Sequence, residues 1–353
     1  MNPLQGVKRT LDRARGRNLL EIAKFLEIEL LGSHASSRCF HHPSHVLIEL
    51  TTRCNLRCKW CNQNDPDWRE KFGNLEMPFE KLEKIIPQLK GSQVLLLYNI
   101  GEPLLYKRIP EAIALAKRTI PTVRITTNGL LLTEKKARLL SEAGLTQLNV
   151  SIDSPLPEIM ERIRGADLGK IEKNLTTFGE SCQVPVQVWS VISESNHRSL
   201  MDLPQWAARF PAIKSLQFQL QNGVHTVEAT GLPPLKSRES FDQLRDQVLK
   251  QCQILGLETN IGHLPFYPEG FHSRQAQGIC KAPFTQLVAI NVHGKLNPCC
   301  SYGTMDLGDV VSEGFQQVWN GPKMRAWRQD MLKQNYSAYC ADWCGYQEGI
   351  EKR

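Results

Sequence analysis

Cys54, Cys58 and Cys61 stand in the run Thr52-Arg53-Cys54-Asn55-Leu56-Arg57-Cys58-Lys59-Trp60-Cys61, separated by three and then two residues. Thiolates are soft ligands suited to iron–sulfur clusters and to zinc. A cubane [4Fe-4S] cluster normally takes four of them. Three thiolates would leave one iron open, much as a catalytic zinc keeps an open position. Such an iron can hold and reduce a small molecule. The intervening chain reaches roughly 3.3–3.6 Å per residue, so a short loop can curl around one cluster with its sulfurs aimed inward. The alternative for these residues is a structural zinc site completed by His41, His42 or His45.

The loop has to be delivered by something, and His45-Val46-Leu47-Ile48-Glu49-Leu50 reads as the strand that does so. Further strands are expected at Val94–Tyr98, Val123–Thr127, Leu148–Ile152, Val184–Ile192 and Ser215–Leu220. Helical patterns fall between them, at Phe79–Leu89 with Pro87 as an early stop, Ile109–Thr119, Thr133–Ala143, Lys170–Phe178 and Leu200–Arg209. Thr133 is the expected N-cap of its helix and Gly144 its exit. Strands alternating with helices imply an α/β fold built on a parallel sheet. Gly223–Pro234 and Pro265–Gly278 read as loops and Phe241–Leu255 as a connecting helix. Two extended stretches around His293-Gly294 read as a β-hairpin, which brings Cys280 near Cys299 and Cys300. A helix is expected over Phe315–Leu332, and Cys340 and Cys344 follow it.

The chain of 353 residues is long enough for one large domain or two ordinary ones. It has no apolar run near the ~20 residues that cross a membrane, so a membrane partner is not expected. The net charge of +7 is modest. Lys8, Arg9, Arg13, Arg15 and Arg17 could serve a nucleic-acid arm. The helical periodicity of Leu19–Leu26 favours an amphipathic helix docked on the main body, and nucleic acid is not an expected partner. Eleven cysteines, clustered in a chain without a clear secretory signal, suggest metal ligation in the cytoplasm rather than disulfides. Cys39, Cys182 and Cys252 lie outside both cysteine sets and read first as small buried hydrophobes.

The Cys-x3-Cys-x2-Cys spacing resembles the signature of the radical S-adenosylmethionine (radical SAM) superfamily. The resemblance implies a [4Fe-4S] cluster on Cys54, Cys58 and Cys61 whose open iron chelates S-adenosyl-L-methionine. Reductive cleavage would then give a 5′-deoxyadenosyl radical that abstracts substrate hydrogen. Trp60 stands where the family has an aromatic residue near adenine. Asn99-Ile100-Gly101-Glu102-Pro103-Leu104-Leu105 resembles the family's Gly-Gly-Glu motif, with Asn99 in place of the first glycine. It implies that Gly101, Glu102 and Pro103 contact the cofactor, with glycine allowing close backbone approach and Glu102 offering an anionic acceptor for the ammonium. Thr127-Asn128-Gly129 resembles the Thr-Asn-Gly motif, and Ser151 and Asp153 end a strand where the family binds ribose hydroxyls or the carboxylate. Arg164 resembles an arginine that pairs with the methionine carboxylate, a task suited to a guanidinium. Ile192 stands where adenine is packed. The implied fold is a partial (β/α)6 barrel over roughly residues 44–225, with its reactive loops at the carboxyl ends of the strands.

Residues 275–348 resemble the SPASM extension of such enzymes, with five cysteines where longer versions have seven. Adjacent thiolates rarely serve one cubane together. One auxiliary [4Fe-4S] cluster is therefore expected, on Cys280, Cys299, Cys340 and Cys344, with Cys300 the alternate to Cys299; a four-cysteine zinc site is the other reading. The expected domains are an N-terminal extension (1–43), the core (44–225), a linker with its helix (226–274) and the SPASM segment (275–353). The resemblance implies an oxidoreductase or epimerase acting on a small sugar-like or aminocyclitol-like molecule, or on a peptide. An electron donor such as flavodoxin or ferredoxin is the implied partner. Cys182 or Cys252 would be the hydrogen donor if the outcome is inversion. The alternatives are a peptide maturase working with a separate recognition protein, a non-catalytic electron carrier, and a nucleic-acid modifier.

Overall fold

The computed structural model describes residues 19–221, 232–266, 279–299 and 306–336. The basic start, most of the two expected loops, and Cys300, Cys340 and Cys344 lie outside the described residues.

Nine strands form one sheet in the order β7-β6-β5-β4-β3-β2-β1-β8-β9. They are β1 (His45–Ile48), β2 (Val94–Leu96), β3 (Thr122–Thr127), β4 (Gln147–Ser151), β5 (Val186–Ile192), β6 (Ile213–Leu220), β7 (Glu258–Thr259), β8 (Leu287–Ile290) and β9 (Leu296–Asn297). Every neighbouring pair from β7 to β8 is parallel, and β8 turns back on β9 in an antiparallel hairpin. The two end strands do not pair with each other, so the sheet is open. The six expected strands are β1 to β6.

The sheet's two faces follow from alternation. On β3, Val123, Ile125 and Thr127 are buried while Arg124 and Thr126 are not fully so. Val123 and Ile125 belong to the main core, with Ala112, Ile113, Ala137 and Leu140 from the covering helices. These helices are α4 (Ile109–Lys117) and α5 (Glu134–Glu142), which follow α1 (Leu19–Leu31), α2 (Pro66–Phe72) and α3 (Phe79–Ile85). Next come α6 (Pro157–Arg164), α7 (Leu168–Ser181), α8 (Leu203–Ala208), α9 (Arg238–Leu255), α10 (Phe315–Trp319) and α11 (Pro322–Leu332).

Helix ends obey local chemistry. The Lys136 N–H donates to the Thr133 hydroxyl at 3.4 Å, capping α5, and Gly144 leaves that helix at φ +91°. Helix α3 tightens to a 3-10 turn over Ile86–Leu89, because Pro87 has no N–H to continue the ladder. The single helix expected over Phe315–Leu332 is instead two, α10 and α11. Pro322 opens the second helix with Gly321 as its cap, since proline suits a first turn and breaks an interior.

The C-terminal hairpin does not stand apart from the barrel. Strand β8 runs beside β1 in register from His45 with Leu287 to Ile48 with Ile290. An all-buried Leu-Val-Ala-Ile run thus covers what would otherwise be an unpaired apolar edge. Helix α1 docks on this same region, where Lys281 pairs with Glu29 and lies 5.4 Å above the Phe25 ring.

Candidate functional site

The loop that follows β1 carries the three cysteines and is fixed at both flanks. The Thr51 hydroxyl donates to the Leu75 carbonyl at 2.9 Å, and the Gln63 amide donates to the Thr52 carbonyl. Within the loop the Cys61 N–H donates to the Cys58 carbonyl at 2.9 Å, closing a tight turn between these two cysteines. The Lys59 N–H donates to the Ile163 carbonyl at 2.9 Å, which ties the loop to the end of α6.

Arg164 closes α6 and aims its side chain into the loop. Its guanidinium lies 3.9 Å from the Cys58 sulfur and 5.9 Å from the centre of the Trp60 ring. Its Nε donates to the Asp153 carboxylate, which also accepts from the Val191 N–H at 2.7 Å. Burial works against the Arg164 charge. The Asp153 carboxylate and the Cys58 sulfur outweigh it and hold the guanidinium above its usual range. Asp153 is completely buried, and through these bonds it positions Arg164 and the β5 backbone.

Gly101 makes close approach possible. A Cβ there would meet the Thr51 carbonyl oxygen at 2.0 Å. The Glu102 N–H then donates to the Arg53 carbonyl at 2.8 Å, clamping this segment onto the cysteine loop. The Glu102 carboxylate is buried and accepts from the Leu104 N–H (3.1 Å), the Thr127 hydroxyl (2.7 Å) and the Asn128 N–H (2.8 Å). Burial pushes its pKa up, while these donors pull it down. Asn128 in turn donates from its amide to Asn55 at 2.9 Å. Cysteine loop, Gly-Glu turn and Thr-Asn-Gly turn are therefore one hydrogen-bonded assembly.

A cavity of about 440 Å³ opens at the carboxyl ends of β2 to β6, in the range of small-ligand sites. Cys54, Cys58, Trp60 and Cys61 line it, as do Gly101, Glu102, Thr127, Asn128, Ser151 and Arg164. Pro103, Asp153 and Ile192 do not. Ile192 is buried in the main core, while Ser190 and Val191 just before it reach the cavity. Sequence reasoning missed Tyr98, Trp189 and Gln221 on the lining, together with the Asn55 link. The alternation of Gln187 and Trp189 with buried residues along β5 was the available signal for Trp189.

Cys182 and Cys252 are not brought to this site. Cys182 follows α7 at the amino end of β5, opposite the cavity, and its thiol donates to the Phe178 carbonyl at 3.4 Å. Cys252 is buried on α9 within the main core. Cys39 is also buried, its N–H donating to the Asn320 side chain at 2.9 Å. In the C-terminal segment Cys280 and Cys299 are described and partly buried.

Burial pushes the thiol of Cys54 up to about 11 and that of Cys61 up to about 12. As bare thiols they would stay protonated and unreactive, whereas a bound metal deprotonates them outright. Among the described residues no three His, Cys, Asp or Glu side chains are arranged to hold a single ion. A cubane asks for something different, one iron corner for each thiolate, and three thiols on one cavity wall beside a guanidinium meet that demand.

Comparison with known proteins agrees with this chemistry. A model described as the radical SAM superfamily matches residues 48–192, and a SPASM model, an iron–sulfur cluster-binding domain, matches residues 280–345. A probable GTP 3′,8-cyclase of Methanosarcina mazei is 34% identical over 266 residues, 71% of this chain and 76% of that one. The tungsten-containing aldehyde ferredoxin oxidoreductase cofactor-modifying protein of Pyrococcus furiosus is 21% identical over 325 residues, 84% of this chain and 86% of that one. A probable GTP 3′,8-cyclase of Methanococcus aeolicus is 29% identical over 170 residues, 47% of this chain and only 56% of its own length. Among solved structures, Streptococcus suis SuiB bound to S-adenosylmethionine superimposes with a TM-score of 0.66 at 15% identity, covering 92% of this chain and 79% of that one. The radical SAM model brings with it a [4Fe-4S] cluster and S-adenosylmethionine, and the SPASM model brings auxiliary iron–sulfur clusters. The chain belongs to the radical SAM superfamily and carries a C-terminal SPASM domain.

Proposed function

We propose that Cys54, Cys58 and Cys61 hold the [4Fe-4S] cluster and that the cavity beside them takes S-adenosylmethionine together with the substrate. The observation that carries this is the convergence of three thiols, one compensated guanidinium and a glycine-permitted backbone approach on one cavity. When bound, the cluster and S-adenosylmethionine supply a carbon radical able to abstract hydrogen. Arg164, locked by Asp153, offsets negative charge at the cysteine loop and presents N–H donors to a carboxylate. Glu102 spends its acceptors on the Thr127-Asn128 turn, so in this reading it shapes the pocket, and the backbone of the Gly101 segment meets the cofactor. Trp60 offers an aromatic face and Ser151 a hydroxyl at the cavity wall. Pro103 starts the 3-10 turn that fixes Glu102. Residues 275–353 form the auxiliary iron–sulfur segment, with Cys280, Cys299 or Cys300, Cys340 and Cys344 as the proposed ligands of one cluster.

The reaction is an oxidation or a related radical modification of a small molecule or a peptide. Inversion quenched by Cys182 or Cys252 has no support from geometry, since both lie away from the cavity. The peptide branch draws support from likeness of fold to SuiB, whose structure bound to precursor peptide SuiA superimposes with a TM-score of 0.65. An electron donor such as flavodoxin or ferredoxin completes the system in the cytoplasm. Among the described residues no helix is long and apolar enough to cross a membrane. Anaerobic, iron-loaded protein incubated with dithionite and S-adenosylmethionine should form 5′-deoxyadenosine, detected by mass spectrometry. A fully loaded protein that forms none would favour an electron carrier and reject the proposal.

A further inference from the structure

Side chains two apart on a strand share a face, and on β6 that rule aligns Gln217 with Gln219 between the buried Leu216, Phe218 and their neighbours. In the register with β5, Gln217 stands beside Trp189 and Gln219 beside Val191, and one row further down Gln187 stands beside Asn149 of β4. Trp189, Val191 and Gln219 line the cavity. The cavity side of β4 to β6 is thus a wall of carboxamides around one indole.

Most of these amides are spent on the protein. Gln147 donates to Asn149 at 2.8 Å and to Gln187 at 2.9 Å, and Gln187 donates to the Ser215 hydroxyl at 2.8 Å. The Trp189 indole N–H donates to Gln187 at 2.9 Å. Its polar handle is therefore turned to the network, and what it offers the cavity is its ring. Gln221 lines the cavity with its amide N–H donating to the Leu232 carbonyl at 2.7 Å.

Gln219 is different. It lines the cavity, is only partly buried, and its side chain makes no hydrogen bond among the described residues. Gln217 is equally unbonded but does not reach the cavity. Of the lining amides on loops, Gln63 and Asn128 are bonded, while Asn62 and Asn99 belong to the cysteine and Gly101 segments. The lining has two charged side chains, and both are committed: Glu102 accepts three hydrogen bonds and Arg164 is paired with Asp153. An ion brought to Gln219 would lose water without gaining a counter-charge, which is costly. A glutamine amide offers N–H donors and a carbonyl acceptor in one plane. A second amide satisfies both through reciprocal N–H to carbonyl bonds, and its flat face suits an indole ring. A single hydroxyl oxygen cannot reach both ends of the carboxamide with straight bonds.

We infer that Gln219 is a specificity-determining residue that receives an uncharged amide of the substrate, with the fixed Trp189 ring as the surface beside it. This rests on the cavity being the substrate site of the radical SAM reading, and it narrows the substrate there to a neutral amide. The amide can come from a peptide backbone or from a small carboxamide, and both present the same donor and acceptor.

The test is ligand-observed NMR titration of the anaerobic, iron-loaded holoprotein with S-adenosylmethionine. N-Acetyl-dialanine methylamide and propanamide are the amide probes, with myo-inositol, succinate and putrescine as the polyol, anion and cation. Saturable binding of an amide is expected, tighter than that of the other three, and the tighter of the two amides names the source. Gln219→Leu should weaken that amide roughly tenfold. Gln217→Leu, on the same face but off the lining, should keep the parental affinity. Gln219→Glu, of the same size, should lose the amide and gain putrescine. Amide affinity unchanged in Gln219→Leu, or lost equally in Gln217→Leu, overturns the inference. So does tighter binding of myo-inositol, succinate or putrescine by the parent protein. 5′-Deoxyadenosine formation by the same parent preparation separates the two failures. Product without amide binding rejects the role of Gln219 alone, whereas no product rejects the underlying reading.

Discussion

The Arg164 guanidinium stands 3.9 Å from the Cys58 sulfur while its Nε is held by the Asp153 carboxylate. One cation thereby serves both the cysteine loop and a buried acid. Arg164→Met should leave Asp153 as an uncompensated buried charge and cost about 3–5 kcal/mol of stability. Adding Asp153→Asn to that variant should return part of the loss. Urea unfolding of the apoproteins measures both, and additive losses in the double variant would show that the pair is not coupled.

Gly101 and Gly165 should respond very differently to alanine. At Gly101 the new methyl would lie 2.0 Å from the Thr51 carbonyl oxygen, and backbone cannot swing aside. Gly101→Ala should displace the cysteine loop, lowering iron content and cutting 5′-deoxyadenosine formation at least tenfold. Gly165 has φ +65° with nothing within 4 Å of its Cβ position. Gly165→Ala should cost only the roughly 1–2 kcal/mol of a left-handed backbone. Equal effects in iron assay and activity would contradict the close-approach argument.

Replacing Cys54, Cys58 or Cys61 singly by alanine should remove the absorbance of the cavity cluster and all S-adenosylmethionine cleavage. Cys182→Ala and Cys252→Ala should retain both, because neither thiol lines the cavity. Loss of 5′-deoxyadenosine in Cys182→Ala with iron intact would reverse that assignment.

His41 gives stability a pH dependence. Its ring is buried, with Nε2 unpartnered, and burial together with the nearby Arg328 lowers its pKa to about 4. The unfolded chain, with a histidine near its ordinary ~6.5, binds more protons across that interval. Stability from this group is complete above pH ~6.5 and drains away as pH falls toward 4, by up to about 1.4 kcal/mol per pH unit. Melting temperatures of the apoprotein between pH 7 and pH 5 should fall, and His41→Asn should flatten the slope. An identical slope in the variant would assign the effect elsewhere.

Much of the fold was readable because apolar patterning is local. The strands β1 to β6 lie within a residue or two of their expected positions, and the caps at Thr133 and Gly144 are where the residue types place them. The helix expected over Phe315–Leu332 failed for an equally local reason, since Gly321-Pro322 outweighs the apolar spacing on either side. Ile192, placed near adenine by resemblance, is buried in the main core one residue beyond Val191, which lines the cavity.

Sequence alone determined the chemistry available at the loop, since thiol type and spacing are properties of a short stretch of chain, and it determined the order of strands and helices through their periodicities. Tertiary structure decided what no stretch contains. Strand β8 seals the edge of β1, Asp153 neutralises Arg164 across 11 residues of chain, Cys182 falls at the end of the sheet opposite the cavity, and among the described residues the buried Arg124 Nε has no hydrogen-bond partner. Each of these depends on which distant groups share a face or an end of the sheet. Charge compensation and desolvation are set by distance in space, which the chain's order does not encode directly.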